Sequence, residues 1–166
     1  DIKGWVKAKA LDIPPDPPTN LSRYSNEQLE AFINSKHLDS KTPYLIWVHI
    51  DTQLVHIFKG SLDKWYLHKT MVCSTGTNDS PTTRGLFTVS DRDTWMYTPR
   101  LGSGAKNWVR FNNTYLFHSV AYAKDGKTVI DDTLGVRSSA GCVRLSLDDS
   151  QWIYDNIESG TTVWVD

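Results

Sequence analysis

From Tyr44 onward the chain alternates with a period of two. Tyr44, Ile46, Val48 and Ile50 interleave with Leu45, Trp47 and His49. After a polar break at Asp51-Thr52-Gln53, the run Leu54-Val55-His56-Ile57-Phe58 does the same, which predicts a β-hairpin. Further strands are expected at Trp65–Ser74, Gly85–Ser90, Val109–Phe111, Tyr115–Ala121 and Thr161–Val165, separated by turn-rich pieces at Gly76–Pro81, Arg100–Asn107 and Lys124–Lys127. Two helices interrupt this pattern. Ser25 followed by Gln28 has capping-box spacing, with Leu29, Phe32 and Ile33 on one face and an expected end near His37–Leu38. Ser146 followed by Asp149 caps a second helix, with Trp152, Ile153 and Ile157 on its apolar side and Gly160 as the expected stop. Many short strands with frequent turns predict a mainly β chain, a β-sandwich of mixed strands with one or two short helices.

Residues 12–20 hold four of the seven prolines and read as a linker, or as an arm lying across another part of the molecule. Residues 1–40 are therefore set apart as a Pro-rich arm and N-terminal helix, either part of the main unit or the end of a preceding region. Residues 41–166 form the main domain. At 166 residues and 18.8 kDa the chain is long enough to bury a core without disulfide staples. Eighteen basic residues against nineteen acidic ones leave a formal charge of −1, which lacks the positive excess that nucleic acid or an anionic membrane demands. No apolar run is long enough to span a bilayer. The sequence opens at Asp1 without a hydrophobic leader, so any export signal or membrane anchor lies outside this chain.

The two cysteines, Cys73 and Cys142, are too few for a disulfide framework. Cys142 lies in Ser138-Ser139-Ala140-Gly141-Cys142-Val143-Arg144. A nucleophilic thiol needs donors and cations that favour the thiolate. Gly141 permits a tight turn whose amides could face a developing oxyanion, and Arg144 can hold a carboxylate. Equally, Cys142 could be a small buried apolar residue. Cys73 has no adjacent base or cation and reads as a buried free thiol. A disulfide between the two would silence the nucleophile. A cysteine nucleophile also needs a base, usually histidine. His37 sits at the expected helix end, where it could meet free carbonyls. His49 and His56 flank the hairpin turn without an evident third metal ligand, and His68 lies in a Lys-flanked polar stretch. His118 ends the apolar run Tyr115-Leu116-Phe117, which places it at a strand rim. It is a candidate base or a satisfied core histidine.

Taken together, His118-Ser119, then Ser139-Ala140-Gly141-Cys142-Val143-Arg144, with Ser74-Thr75-Gly76 and Ser80-Pro81-Thr82-Thr83-Arg84-Gly85-Leu86-Phe87 upstream, resemble the L,D-transpeptidase catalytic domain family, the YkuD-type domain. The resemblance runs from about Tyr44 to Asp166. It implies an exported, cell-wall-associated, cysteine-dependent acyltransferase that cross-links peptidoglycan. Cys142 would form a thioester with a donor tetrapeptide stem, and an acceptor amine from a second stem would resolve it. His118 would be the base, oriented by the backbone carbonyl of Ser119. The amides of Gly141 and Cys142 would supply the oxyanion hole. Arg144 and Ser139 would bind substrate. The resemblance implies a monomer, carbapenem-type β-lactams as covalent inhibitors, and no metal or organic cofactor. Two departures stand out. Ala140 occupies a position where many members carry a second histidine, which leaves His118 alone. The stretch Tyr97–Asn107 and the gap between His118 and Cys142 are roomy, so Trp95, Tyr97 and Trp108 are expected to form a lid or groove wall. Two alternatives share the motif: an L,D-carboxypeptidase with water as acceptor, and a wall-binding β-sandwich without turnover.

Overall fold

The computed structural model describes residues 6–166. Helix α1 (Asn26–Asn34) starts on the capping box: Ser25 Oγ accepts from the Gln28 N–H, and Gln28 Oε1 accepts from the Ser25 N–H. It ends about three residues earlier than the periodicity predicts. Asn34 turns its side chain onto the start of the third strand, donating to Trp65 O and accepting from the Trp65 N–H, which ties off the helix there. His37 follows in the left-handed region (φ 51°); its N–H donates to Asn34 O, while its imidazole pairs with Asp63. A single 3₁₀ turn at Ala8–Ala10 precedes the Pro-rich segment.

The predicted hairpin is β1 (Tyr44–His49) and β2 (Leu54–Ser61), with Val48 opposite Val55 and Ile46 opposite Ile57. Its polar break holds an unexpected anchor. Gln53 is buried at φ 53°, and its amide donates to Thr75 Oγ1 and accepts from the Thr75 N–H, both at 2.8 Å. Strand β3 (Lys64–Ser74) is long enough to serve both halves of the molecule. It pairs with β2 for most of its length, then with β10 (Val143–Leu145) at Cys73 and Ser74. On one side β11 (Thr162–Val165) runs parallel to β1 and carries β4 (Gly85–Thr88) at the edge. On the other, β10 lies parallel to β7 (Tyr115–His118), followed by β6 (Ser103–Asn112). β6 in turn pairs with β5 (Arg92–Thr98) and with β8 (Ala121–Tyr122), and β8 carries β9 (Val129–Asp131). The two halves fold over one apolar core that includes Ile46, Val55, Met71, Phe117, Val143 and Leu145. The expected mainly β, mixed-strand sandwich is the fold observed.

Three sequence expectations shift. Arg100–Asn107 is a turn only around Pro99–Gly102. Gly104 belongs to β6 and is glycine because a Cβ there would lie 2.4 Å from the Trp95 ring. Tyr115–Ala121 is not continuous but breaks at Ser119, whose hydroxyl accepts from the Lys106 N–H. Helix α2 (Leu147–Asn156) stops before Gly160, because Ile157 goes extended to enter the core.

Part of the Pro-rich segment, residues 14–19, lies against the rest of the chain. Asn78 donates to the carbonyls of Pro14 and Pro15, its N–H meets Asp16, and Thr19 donates to Gly135 O. Helix α1 packs Leu29 and Ile33 on the outer face of the hairpin sheet, against Leu45, Trp47, Phe58 and Trp65. Ile33 is fully buried. Ile33→Ala is expected to lower stability by about 3 kcal/mol in a single urea transition. A separate early transition would instead mean that α1 unfolds as its own unit.

Candidate active site

Cys142 sits on a loop that enters β10, and the parallel pairing Val143–Phe117 and Arg144–His118 sets it beside the end of β7. The loop is tightly determined. Gly141 adopts φ 113°, and a Cβ there would crowd the Tyr115 ring at 3.2 Å. Ser139 Oγ donates to Cys142 O at 2.5 Å and accepts from the Gly141 N–H at 3.1 Å. Gly76 lies under the same loop, bridged to Ser139. The Cys142 thiol is half-buried and faces Thr114 O at 3.5 Å. Burial pushes its pKa up, opposed by a backbone hydrogen bond from Leu116 and by Arg110.

His118 is buried, and its Nδ1 lies 2.6 Å from Ser119 O. A carbonyl only accepts, so Nδ1 carries the proton and Nε2 keeps a free lone pair. Burial, opposed by the Ser119 carbonyl and aided by the Arg144 guanidinium, lowers the imidazole pKa to about 4. At neutral pH the imidazole is therefore uncharged and the thiol protonated: a neutral pair.

Both side chains line a cavity of about 500 Å³, with Ser139, Ala140 and Arg144 also in its wall. The expected site residues Cys142, His118, Ser139 and Arg144 thus come together, with Ser119 and Gly141 behind them as backbone partners. Their engagement differs in places from expectation. The Gly141 N–H is held by Ser139 rather than turned to the cavity, and both roles of the Ser139 hydroxyl are taken within the loop. Arg144 already donates to Asp131 of β9 at 2.6 Å, while its buried Nε has no partner among the described residues.

Tyr97, Trp95 and Trp108 do not line this cavity. β5 alternates, so Met96 and Thr98 face the cavity and Trp95 and Tyr97 face away, where Trp108 Nε1 donates to Trp95 O. Arg100 and Leu101 at the tip of the β5–β6 hairpin complete the mouth. Sequence reading missed Met96, Thr98 and Asp131 because β5 and β9 were not recognised as strands. With the register in hand, Tyr97 and Met96 could not both have faced inward.

Outside the site, Cys73 is a fully buried free thiol whose pKa burial raises strongly, as its apolar surroundings predict. His49 and His56 both pack on the Trp47 ring, with centroids 4.8 and 5.2 Å away, and His68 is exposed against Trp152. Among the described residues no helix is long and apolar enough to cross a membrane.

Comparison with known proteins follows the same lines. Bacillus subtilis (strain 168) YciB, a provisional L,D-transpeptidase, is 34% identical over 128 residues, covering 71% of this chain and 64% of YciB. A fused Zn-dependent amidase/peptidase/peptidoglycan-binding domain-containing protein from Clostridium acetobutylicum ATCC 824 superposes with a TM-score of 0.72 at 29% identity, covering 85% of this chain and 59% of that one. L,D-transpeptidase 3 from Mycobacterium tuberculosis, solved with a faropenem-derived adduct, has the same fold at a TM-score of 0.56 and 22% identity, covering 75% of this chain and 60% of its own. The chain thus spans about three-fifths of the length of these relatives. The profile of the L,D-transpeptidase catalytic domain, YkuD, matches residues 43–165, and with the cysteine and histidine motifs gathered in one cavity, the chain belongs to that family.

Proposed function

We propose that this chain is a cysteine-dependent L,D-transpeptidase that cross-links peptidoglycan outside the cytoplasm, with residues 41–166 as its catalytic domain and residues 1–40 as an arm and helix that brace it. The observation that carries the reading is the shared cavity: Cys142 and His118 both line it, while His118 Nδ1 is pinned to Ser119 and leaves Nε2 free to act as base. The pair is neutral at rest, so His118 Nε2 takes the thiol proton as Sγ attacks the stem's carbonyl carbon. The carbonyl π electrons move onto oxygen as the S–C bond forms. On collapse the C–N bond breaks, the departing amine takes the proton from His118, and a thioester remains. An acceptor amine from a second stem then attacks the thioester carbon and passes a proton to the neutral His118; the C–S bond breaks, the new amide leaves, and the thiolate takes the proton back from His118. Arg144, partly neutralised by Asp131, gives the cavity a cationic wall for a substrate carboxylate.

A β-lactam carbonyl presents the same electrophile, and one M. tuberculosis relative was captured with a faropenem-derived adduct. Incubation with a carbapenem is expected to add one inhibitor mass to the intact protein, mapped by peptide digestion to Cys142. No mass shift would favour a wall-binding domain without turnover. With tetrapeptide stems, a cross-linked product that needs an acceptor amine marks the transpeptidase; a trimmed tripeptide regardless of acceptor marks the carboxypeptidase.

A further inference from the structure

Thr82 does not line the cavity, yet its side chain holds the nucleophile loop from outside. It is 4% exposed. Its hydroxyl donates to Gly141 O at 2.7 Å and accepts from the Gly76 N–H at 2.9 Å. Two glycines make that reach possible: a Cβ on Gly76 would lie 2.9 Å from Gly141 Cα, 2.7 Å from Thr82 N and 2.1 Å from Ser80 O. No side chain fits between these backbones.

The carbonyl that Thr82 holds belongs to the peptide unit joining Gly141 to Cys142. No peptide bond among the described residues is cis, and a trans unit points its C=O and its N–H in opposite directions. Fixing Gly141 O on Thr82 therefore turns the Cys142 N–H away from Thr82, and Cys142 itself lines the cavity. That amide has no acceptor among the described residues, whereas its neighbour, the Gly141 N–H, is held by Ser139 Oγ. Of the two amides, only that of Cys142 is left to meet an oxyanion.

We propose that Thr82 is a positioning residue for the oxyanion donor: it sets the tilt of the Gly141–Cys142 peptide so that the Cys142 N–H meets the oxygen on which charge develops. The inference rests on the proposed acyl transfer and adds to it. As Sγ bonds to the carbonyl carbon and its proton passes to His118, the π pair moves to oxygen, and the Cys142 N–H donates to that oxyanion. The Thr82 hydrogen bond polarises the same peptide unit and strengthens its N–H as a donor.

The test compares Thr82→Val, Thr82→Ala and Thr82→Ser by the time course of carbapenem acylation in intact-mass spectra, over a range of inhibitor concentrations. The first two variants remove the hydroxyl; the third keeps it. Expected for Val and Ala is a fall of about ten- to a hundredfold in the maximal acylation rate, with the half-saturating concentration within about twofold of wild type. Thr82→Ser should stay within about threefold of wild type on both. A variant that melts near the wild-type temperature and still acylates at the wild-type rate overturns the proposal, as does a serine variant as slow as valine. Since Ala removes the hydroxyl with less bulk than Val, one folded variant of the two suffices. Failure of the wild type itself to acylate at Cys142 would instead overturn the acyl-transfer reading and is recognised separately.

Discussion

Cys142→Ala is expected to eliminate cross-linked product from tetrapeptide stems, a loss of more than about 10³-fold, while leaving the fold intact. Both halves of that expectation follow from the loop. The thiol is only half-buried and meets backbone groups of Thr114 and Leu116 rather than the apolar core, so its removal opens little cavity there. The hydrogen bonds that shape the loop come from Ser139 and Thr82 to backbone groups, none of which the substitution touches. The variant should therefore melt close to wild type and show no mass gain with a carbapenem. The readout is chromatographic product analysis with a melting curve on the same sample. Wild-type product from a folded Cys142→Ala protein would remove Cys142 from the mechanism.

His118→Gln is expected to slow carbapenem acylation by about 10²- to 10⁴-fold, and the pH dependence of the wild type should show why. An ordinary imidazole loses its capacity as a base as pH falls through about 6.5. Burial has moved His118 to about 4, so it stays neutral, and a competent base, well below that. The acylation rate should therefore hold nearly level from pH 7 to 5 rather than halve near 6.5. The same shift fixes the sign of a stability effect. Above about pH 6.5 His118 is neutral whether the chain is folded or not, and contributes nothing to pH dependence. Between about 6.5 and 4 the unfolded chain takes up a proton that the folded one refuses, so stability falls with acid across that window. The loss is at most about 3 kcal/mol. His56, also held near 4 by burial, adds a loss of the same sign. His118→Gln should unfold with a shallower acid dependence than wild type while retaining the contribution of His56. A wild-type acid limb centred near 6.5 would mean that His118 is exposed to water in the working enzyme.

The strands with clean alternation were legible directly. β1 and the first half of β2 are buried on both faces and read as near-continuous apolar runs, while β3 alternates buried and exposed positions with one face to solvent. The two helix starts were equally plain, since Ser25 and Ser146 announce themselves by the spacing of their caps. Short or polar strands were not. β10 is three residues long and takes its conformation from β3 and β7 rather than from its own sequence. β9 is largely exposed, and β5 carries Arg92, Asp93 and Thr94 before its aromatic run. In the site, Cys142 and His118 were visible as chemistry in a motif, but the partners that control them were not. Asp131 is an ordinary surface acid until β9 brings it to Arg144. Thr82 and Gln53 read as loop residues, and only the long-range approach of backbones to their side chains gives them a role. Local pattern predicts which residues pair with near neighbours. It carries no information on contacts made across sixty residues of intervening chain.

The pairing of β1 with β11 bears on how the molecule folds as well as on how it stands. β11 is the last strand, and Trp47 Nε1 meets Asp166 Oδ1 at 2.7 Å from 119 residues away in the chain. Joining β1 to β11 closes that long loop at an entropic cost that local contacts do not offset, and a pairing of such high sequence separation is expected to form more slowly than the local β1–β2 hairpin.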